Sequence, residues 1–312
     1  MLALIRMNSS PRDAAFSILA VFLALPAAAD VALAQGDLII WGSRVADSRW
    51  QQQSFVQVAA GSNHTVACRS DGSVVAWGDN AYGQCLVPAL PAGLSYVEVA
   101  AGGAINQGRG TTVARRSDGS VVVWGDLSYS QWNVPALPPG LSYVEVTAGV
   151  THCAARRSDG SVVAWGNNTS GQCNVPALPP GLSYVEVSAG DHTVALRSDG
   201  SIVAWGNNNQ GQCIVPALPP GLSYVEVSAG GNHTVARRSD GSVVAWGLNN
   251  GGQCNVPPLP PGLTYVEVEA GYPHTVARRS DGSVVAWGYN NYGQCNVPAL
   301  PPGLSYVEVA AG

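Results

Sequence analysis

Lysine is missing from this sequence: all 15 basic residues are arginine. A Schiff-base lysine and a phosphate-loop lysine are therefore excluded. Charge of either sign is scarce, at 11% of residues, with a formal net charge of −5. No basic run is present, so the clustered cations that displace counterions on nucleic acid are lacking, and no nucleic-acid partner is expected. Long apolar runs are also lacking beyond the N-terminus; no later segment approaches the about 20 apolar residues of a membrane span. Motifs of common catalytic and metal sites are absent as well. There is no G-x-S-x-G, Walker loop or H-E-x-x-H, and no C-x-x-C or other zinc spacing.

Glycine and proline are abundant, with 37 and 21 among 312 residues. At that level, spaced between apolar runs and without a collagen period, they suit an all-β chain with many turns. The dipeptide Trp-Gly begins at Trp41, Trp77, Trp124, Trp165, Trp205, Trp246 and Trp287, at intervals of 36, 47, 41, 40, 41 and 41 residues. Nearly the same text surrounds the last six, of which residues 224–254 are typical: YVEVSAGGNHTVARRSDGSVVAWGLNNGGQC. A period of roughly 40 residues with short valine-rich runs marks a stacked repeat or a propeller.

Within one repeat, residues 224–228 alternate and are β-branched, which predicts a strand. Residues 229–232 read as a turn, and 233–238 as a second strand. Asp240-Gly241 marks a tight hairpin turn. Residues 243–246 form a third strand, and 253–256 a short fourth one at the outer edge. The proline-rich run 257–262 then stops the sheet, because proline has no ladder donor. Four antiparallel strands per 41 residues predict an all-β fold, a seven-bladed β-propeller closed by the N- and C-terminal strands. An open β-solenoid is the alternative, although solenoid repeats usually run shorter.

Arg6 and Arg12 precede an apolar run from Ala14 to Leu25 and the small-residue sites Ala27–Ala29 and Ala32–Ala34. Residues 1–34 therefore read as a secretory signal peptide, cleaved after Ala29 or Ala34, with residues 35–312 as the repeat domain. The mature protein is expected to be a soluble monomer, secreted, periplasmic or at the cell surface, with no membrane span after signal removal. The last blade is short of a middle strand. Either residues 31–34 supply it after cleavage at Ala29, or the chain is cut short at its C-terminus.

The text AG-x-x-HT-VA-x-x-x-DGS-VVAWG-x-N-x-x-GQ resembles the repeat of the regulator of chromosome condensation family, over essentially everything after Gly36. That resemblance implies a seven-bladed propeller. The AWG-x-N…GQ…VP stretch is similar to a bacterial secreted branch, one of whose known uses is β-lactamase inhibition. An extracytoplasmic protein partner, β-lactamase-like among the possibilities, is what the branch implies. Guanine-nucleotide exchange on a nuclear GTPase does not suit an exported chain.

Residues copied in every repeat read as scaffold. His64, His152, His192, His233 and His274 share one position, a blade apart, and are expected to bond backbone at the strand start. Metal chemistry would need several ligands to converge, so neither metal nor cofactor is expected. Glu226 falls opposite Arg237 and predicts a cross-strand ion pair in each blade, adding little if exposed. Cys85, Cys173, Cys213, Cys254 and Cys295 again share one position and are expected to stay unbridged.

Differences between copies concentrate in the loop before the His-Thr strand and the loop after Trp-Gly. Both emerge at one end of an up-and-down blade. Candidate residues of that binding face are Trp50, Asp79, Tyr82, Arg109, Asp126, Tyr129, Trp132, Asp191, Tyr272, Tyr289 and Tyr292. Tyrosine, tryptophan and arginine suit protein recognition, and the second copy adds a protruding loop at residues 103–110. Loop drift after duplication is the competing explanation. A non-catalytic protein binder is therefore expected. Alternatives are a lectin-like module, which the recurrent Asn-Asn pairs fit in part, and a periplasmic lyase or hydrolase using Asp79, Asp126 and Asp191.

Overall fold

The computed structural model describes residues 2–8, 39–42, 55–104 and 108–312. Among them are seven three-stranded antiparallel sheets. The first six span residues 55–78, 96–125, 143–166, 184–206, 224–247 and 265–288, each built from consecutive strands. Each runs from an inner strand through a middle one to an outer one, as in Tyr224–Ala229, His233–Arg238 and Val243–Gly247. The seventh combines Ser305–Ala311 as inner strand, Leu2–Asn8 as middle and Ile39–Gly42 as outer.

Two expectations are corrected. Residues 253–256 form no fourth strand, because their backbone groups are satisfied locally. Cys254 N donates to Asn249 Oδ1 at 2.9 Å and Asn255 N to Gly252 O at 3.0 Å, around a glycine with φ of +85°. Val256 N donates to Cys254 O at 3.0 Å, so three consecutive N–H groups are withdrawn from any ladder. The missing strand of the last sheet comes from Leu2–Asn8 rather than residues 31–34, with Leu4 opposite Ile40 and Ile5 opposite Val309. Residues 31–34, the apolar run of the expected leader and both cleavage sites lie outside the described residues.

The conserved dipeptides have separate physical reasons. Every described glycine of Trp-Gly from Gly78 onward has φ between +101° and +110°, a region closed to most side chains. Except at the partly buried Trp77, the tryptophan is buried and its indole N–H leaves its own sheet. Trp165 Nε1 donates to Gln131 O at 2.7 Å and Trp246 Nε1 to Gln212 O at 2.8 Å, in each case one repeat back. Trp41 makes the same bond to Gln294 O at 2.8 Å, across 253 residues of sequence. In the hairpin turns the aspartate caps the backbone, as with Ser201 N to Asp199 Oδ1 at 2.9 Å.

The core lies between sheets. Val194 and Leu196 of the fourth sheet pack on Tyr224, Val227 and Trp246 of the fifth. Ile40 and Ala310 of the seventh pack on Phe55, Val58 and Ala60 of the first. The second sheet is extended into a longer ribbon at the insertion, its pairing continuing to Gly103 opposite Gly110 and Ala104 opposite Arg109.

Candidate functional site

The two variable loops do adjoin. The residue after Trp-Gly donates its N–H to the loop before the middle strand, as in Asp79 N to Asn63 O and Leu248 N to Asn232 O, both 2.8 Å. The Asp-Gly turns meet the proline-rich crossovers at the other end, through bonds such as Tyr184 N to Gly160 O at 2.9 Å. One end of the sheets is thus variable and the other constant.

The candidate residues fall into three groups instead of one patch. Arg109, on the lengthened ribbon of the second sheet, stacks over the Tyr82 ring at 5.6 Å and faces Asp126 at 3.6 Å. The Asp126 carboxylate, seconded by Tyr82, raises the guanidinium pKa further. Asp79 lies beside Gly108. Tyr82, Tyr129 and Trp132 are 41%, 38% and 62% exposed, so this corner shows aromatic surface around a fixed cation. The second group crosses the mouth between sheets: Tyr272 leans over Gly231 and its hydroxyl meets Asn232 Nδ2 at 3.5 Å. Burial raises the Tyr272 pKa, with Asp191 adding to it, and burial lifts Asp191 itself to about 6. Third, Tyr289 and Tyr292 pack at 6.2 Å, Tyr292 being 58% exposed. Trp50 lies outside the described residues.

One asparagine of each pair that favoured a sugar site is held by its own loop. Asn168, Asn208, Asn249 and Asn290 each accept the N–H of the cysteine five residues on, at 2.8–2.9 Å. That cysteine's thiol in turn meets a backbone carbonyl, as in Cys173 Sγ to Asn167 O at 3.2 Å. All seven cysteines are free.

The histidines differ from expectation in their partner. Four of the five reach a threonine hydroxyl in the next sheet, not backbone: His64 to Thr112 at 2.9 Å, His152 to Thr193 and His192 to Thr234 at 2.7 Å, His233 to Thr275 at 2.9 Å. Burial lowers their pKa to about 3 or 4, which keeps the rings neutral. Among the described residues no three His, Cys, Asp or Glu side chains converge as a metal site would need.

Sequence reasoning missed a central channel. The inner-strand glutamates do pair across the strand as expected, Glu226 with Arg237 at 2.6 Å and Glu145 with Arg156 at 2.7 Å. They are not on an open surface, however. With Gln57, the glutamates Glu98, Glu145, Glu186, Glu267 and Glu308 line a cavity of about 280 Å³ between the inner strands, and the inner-strand glutamates also accept N–H groups of the next sheet. Val187 N to Glu145 Oε1 and Val268 N to Glu226 Oε1 are both 2.9 Å. Glu186 stands out as the inner-strand glutamate that faces no arginine across the strand, its partner being Leu196. Burial, then the carboxylates of Glu226 and Glu145, push its pKa up to about 9. Glu269, which replaces the Ser188 and Ser228 of other repeats, bonds Ser228 Oγ at 3.0 Å and is pushed by burial to about 8. The visible signals were Leu196 opposite a glutamate, where arginine is the usual partner, and Glu269 in a small-residue column. Leu196→Arg is expected to bring the Glu186 pKa down toward the ordinary carboxylate range, read by carbon NMR titration of the side chain. A carboxyl still protonated at pH 8 would contradict this.

The glycines after each inner strand close the channel toward the variable end. Gly102 lies against Gly149 O, Gly149 against Gly190 O, Gly190 against Gly230 O and Gly230 against Gly271 O. Tyr272 and Val150 rim this neck.

Repeated three-stranded sheets packed face to face around a channel, with loops gathered at one end, define the β-propeller class. The chain matches the regulator of chromosome condensation (RCC1) repeat over residues 55–84, 143–172, 185–212, 224–253 and 265–294. It is an RCC1-repeat protein. Among solved structures, Saccharomyces cerevisiae Prp20p, described with its binding properties to Gsp1p and histones, is similar at 20% identity and a TM-score of 0.66, covering 82% of this chain and 77% of that one. Human WBSCR16 is similar at 17% identity and 0.69, covering 100% and 97%. The CRINKLY WD40 ectodomain of the Arabidopsis thaliana receptor kinase ACR4 is similar at 24% and 0.60, covering 83% and 89%. These likenesses concern the fold. No curated protein matches the chain in sequence.

Proposed function

We propose that the chain is an exported, non-catalytic, seven-bladed ring that binds a protein partner through its variable loop face. The Arg109 corner carries this reading: a cation held between Tyr82 and Asp126, flanked by exposed Tyr129 and Trp132. Aromatic and arginine side chains held rigid at a surface are the usual anchors of protein interfaces. Closure is supported by the Trp41–Gln294 bond and by the packing of Ile40 and Ala310 on the first sheet. Export rests on the leader pattern of residues 1–34, whose removal would take Leu2–Asn8 out of the seventh sheet and open its middle position; a β-lactamase-like target rests on the likeness to the secreted branch.

The test compares the full chain with the triple variant Tyr82→Ala, Tyr129→Ala, Trp132→Ala. Each protein is immobilised, offered the extracytoplasmic fraction, and then titrated with the purified captured protein. The variant is expected to weaken binding by roughly 100-fold or more, with a melting temperature within about 2 °C of the parent. Equal binding by both would remove this corner from the interface.

A further inference from the structure

The seventh sheet holds its middle strand in the register of all the others, yet with the wrong residues at three positions. Where the middle strand faces the glycine of Trp-Gly, five sheets have histidine; here Leu2 faces Gly42. At the next position, which faces the tryptophan, five sheets have threonine; here Ala3 faces Trp41. The fourth position is alanine in the other six sheets, fully buried from Ala67 to Ala277; here it is Ile5, facing Ile39.

Those positions matter because each histidine of one sheet bonds the threonine of the next. Two groups at the seventh sheet's borders are left over. His274 Nε2 points to the sheet whose threonine position is Ala3, and Thr65 Oγ1 borders the sheet whose histidine position is Leu2. Both side chains are buried, and neither atom has a hydrogen-bond partner, whereas Nε2 of His64, His152, His192 and His233 is bonded. The internal junctions show that the pair is kept or lost together. The second sheet has Thr111 in place of histidine, and the third then has Cys153 in place of threonine. Thr111 Oγ1 turns to its own sheet, donating to Asp126 O at 2.9 Å. At the seventh sheet both His274 and Thr65 are retained, although Leu2–Asn8 answers neither.

We propose that the slot between Ile39–Gly42 and Ser305–Ala311 is a strand-acceptor site for an extended segment of the repeat's own type, His-Thr-Val-Ala-Arg, supplied by a second polypeptide in place of Leu2–Asn8. The backbone ladder supplies general affinity for any strand. Specificity comes from three side chains: histidine onto Thr65, threonine onto His274, and alanine in the tight fourth position. The arginine lands opposite Glu308, as Arg6 does now and as Arg237 lands opposite Glu226. Two regained hydrogen bonds, at about tenfold each, favour such a segment over one that lacks them by roughly 100-fold.

The experiment uses the full chain carrying Ile5→Pro, which cannot keep Leu2–Asn8 in a ladder, and a labelled peptide with the sequence of residues 233–242. Fluorescence anisotropy is expected to show saturable binding. It should weaken roughly 30-fold or more when the peptide carries leucine and alanine in place of its histidine and threonine. Equal affinity for both peptides, or no binding to a chain whose circular dichroism remains native, overturns the proposal. A second measurement needs no freed slot: Leu2→His with Ala3→Thr in the otherwise unchanged chain is expected to raise the melting temperature by about 3 °C or more. Adding His274→Leu should remove part of that rise. A melting temperature that does not rise would equally overturn the proposal.

Discussion

Stability is expected to peak near pH 6.5 and to fall on both sides. On the acid side the cause is the five buried histidines. Burial holds His64, His152 and His233 at about 4 and His192 and His274 at about 3, against 6.5 in an unfolded chain. Below pH 6.5 the unfolded state takes up protons that the folded state refuses. Their contribution is therefore fully present above 6.5 and drains as pH falls toward 4, at about 1.4 kcal/mol per pH unit for each histidine. On the alkaline side the sign reverses. Glu186 and Glu269 keep their protons to about 9 and 8, while in the unfolded chain they release them near 4.5. What they contribute at low pH is lost as pH rises, by roughly 3 kcal/mol per unit for the two together up to pH 8. Between pH 6 and 4.5, Glu186, Glu269 and Asp191 partly offset the five histidines, leaving a net loss of roughly 3 kcal/mol per unit on acidification. Urea unfolding at pH 5, 6.5 and 8 checks this. A flat profile would mean that the histidines and channel carboxyls titrate as they do in water.

Gly190→Ala is expected to destabilise the protein by at least about 3 kcal/mol, beyond ordinary overpacking because backbone cannot move aside like a side chain. The added methyl would sit on the Gly230 carbonyl oxygen in the neck of the channel. Gly181 is the control. It lies in a crossover turn with φ of +82° and nothing within 4 Å of an added Cβ, so Gly181→Ala meets only backbone strain, about 1–2 kcal/mol. Chemical denaturation of the two variants should separate close approach from conformational freedom. Equal losses would show that the glycines at the neck do not set the spacing between sheets.

Much of the architecture was legible because it depends on local pattern. The alternation in residues 224–228, the Asp240-Gly241 turn and the run 243–246 each lie in the element expected, since strand period and turn chemistry are short-range properties. Reading failed where a local turn competes with the ladder and where the determinant is distant. Residues 253–256 carry strand-like text, but Asn249 and Gly252 satisfy their backbone first. Leu2–Asn8 is chosen by a slot more than 290 residues away at Ser305–Ala311, which no local pattern announces. The glutamates were read as a surface pair because alternation says that two faces exist without saying which turns toward the channel. Of the candidate binding residues, Tyr82, Arg109, Asp126 and Tyr129 converge because their two sheets are neighbours. Asp191 and Tyr272 meet only through the shape of the channel mouth.

Many of the bonds that tie one sheet to the next draw on a short vocabulary: an indole N–H, an imidazole, a serine or threonine hydroxyl and a channel carboxylate. The exposed side chains of Trp132 and Tyr292 contribute to none of them. Frame and display are consequently separate inheritances. The exposed tips can be rewritten copy by copy without renegotiating how neighbouring sheets hold each other, so a chain of near-identical repeats can carry a face on which no two corners are alike.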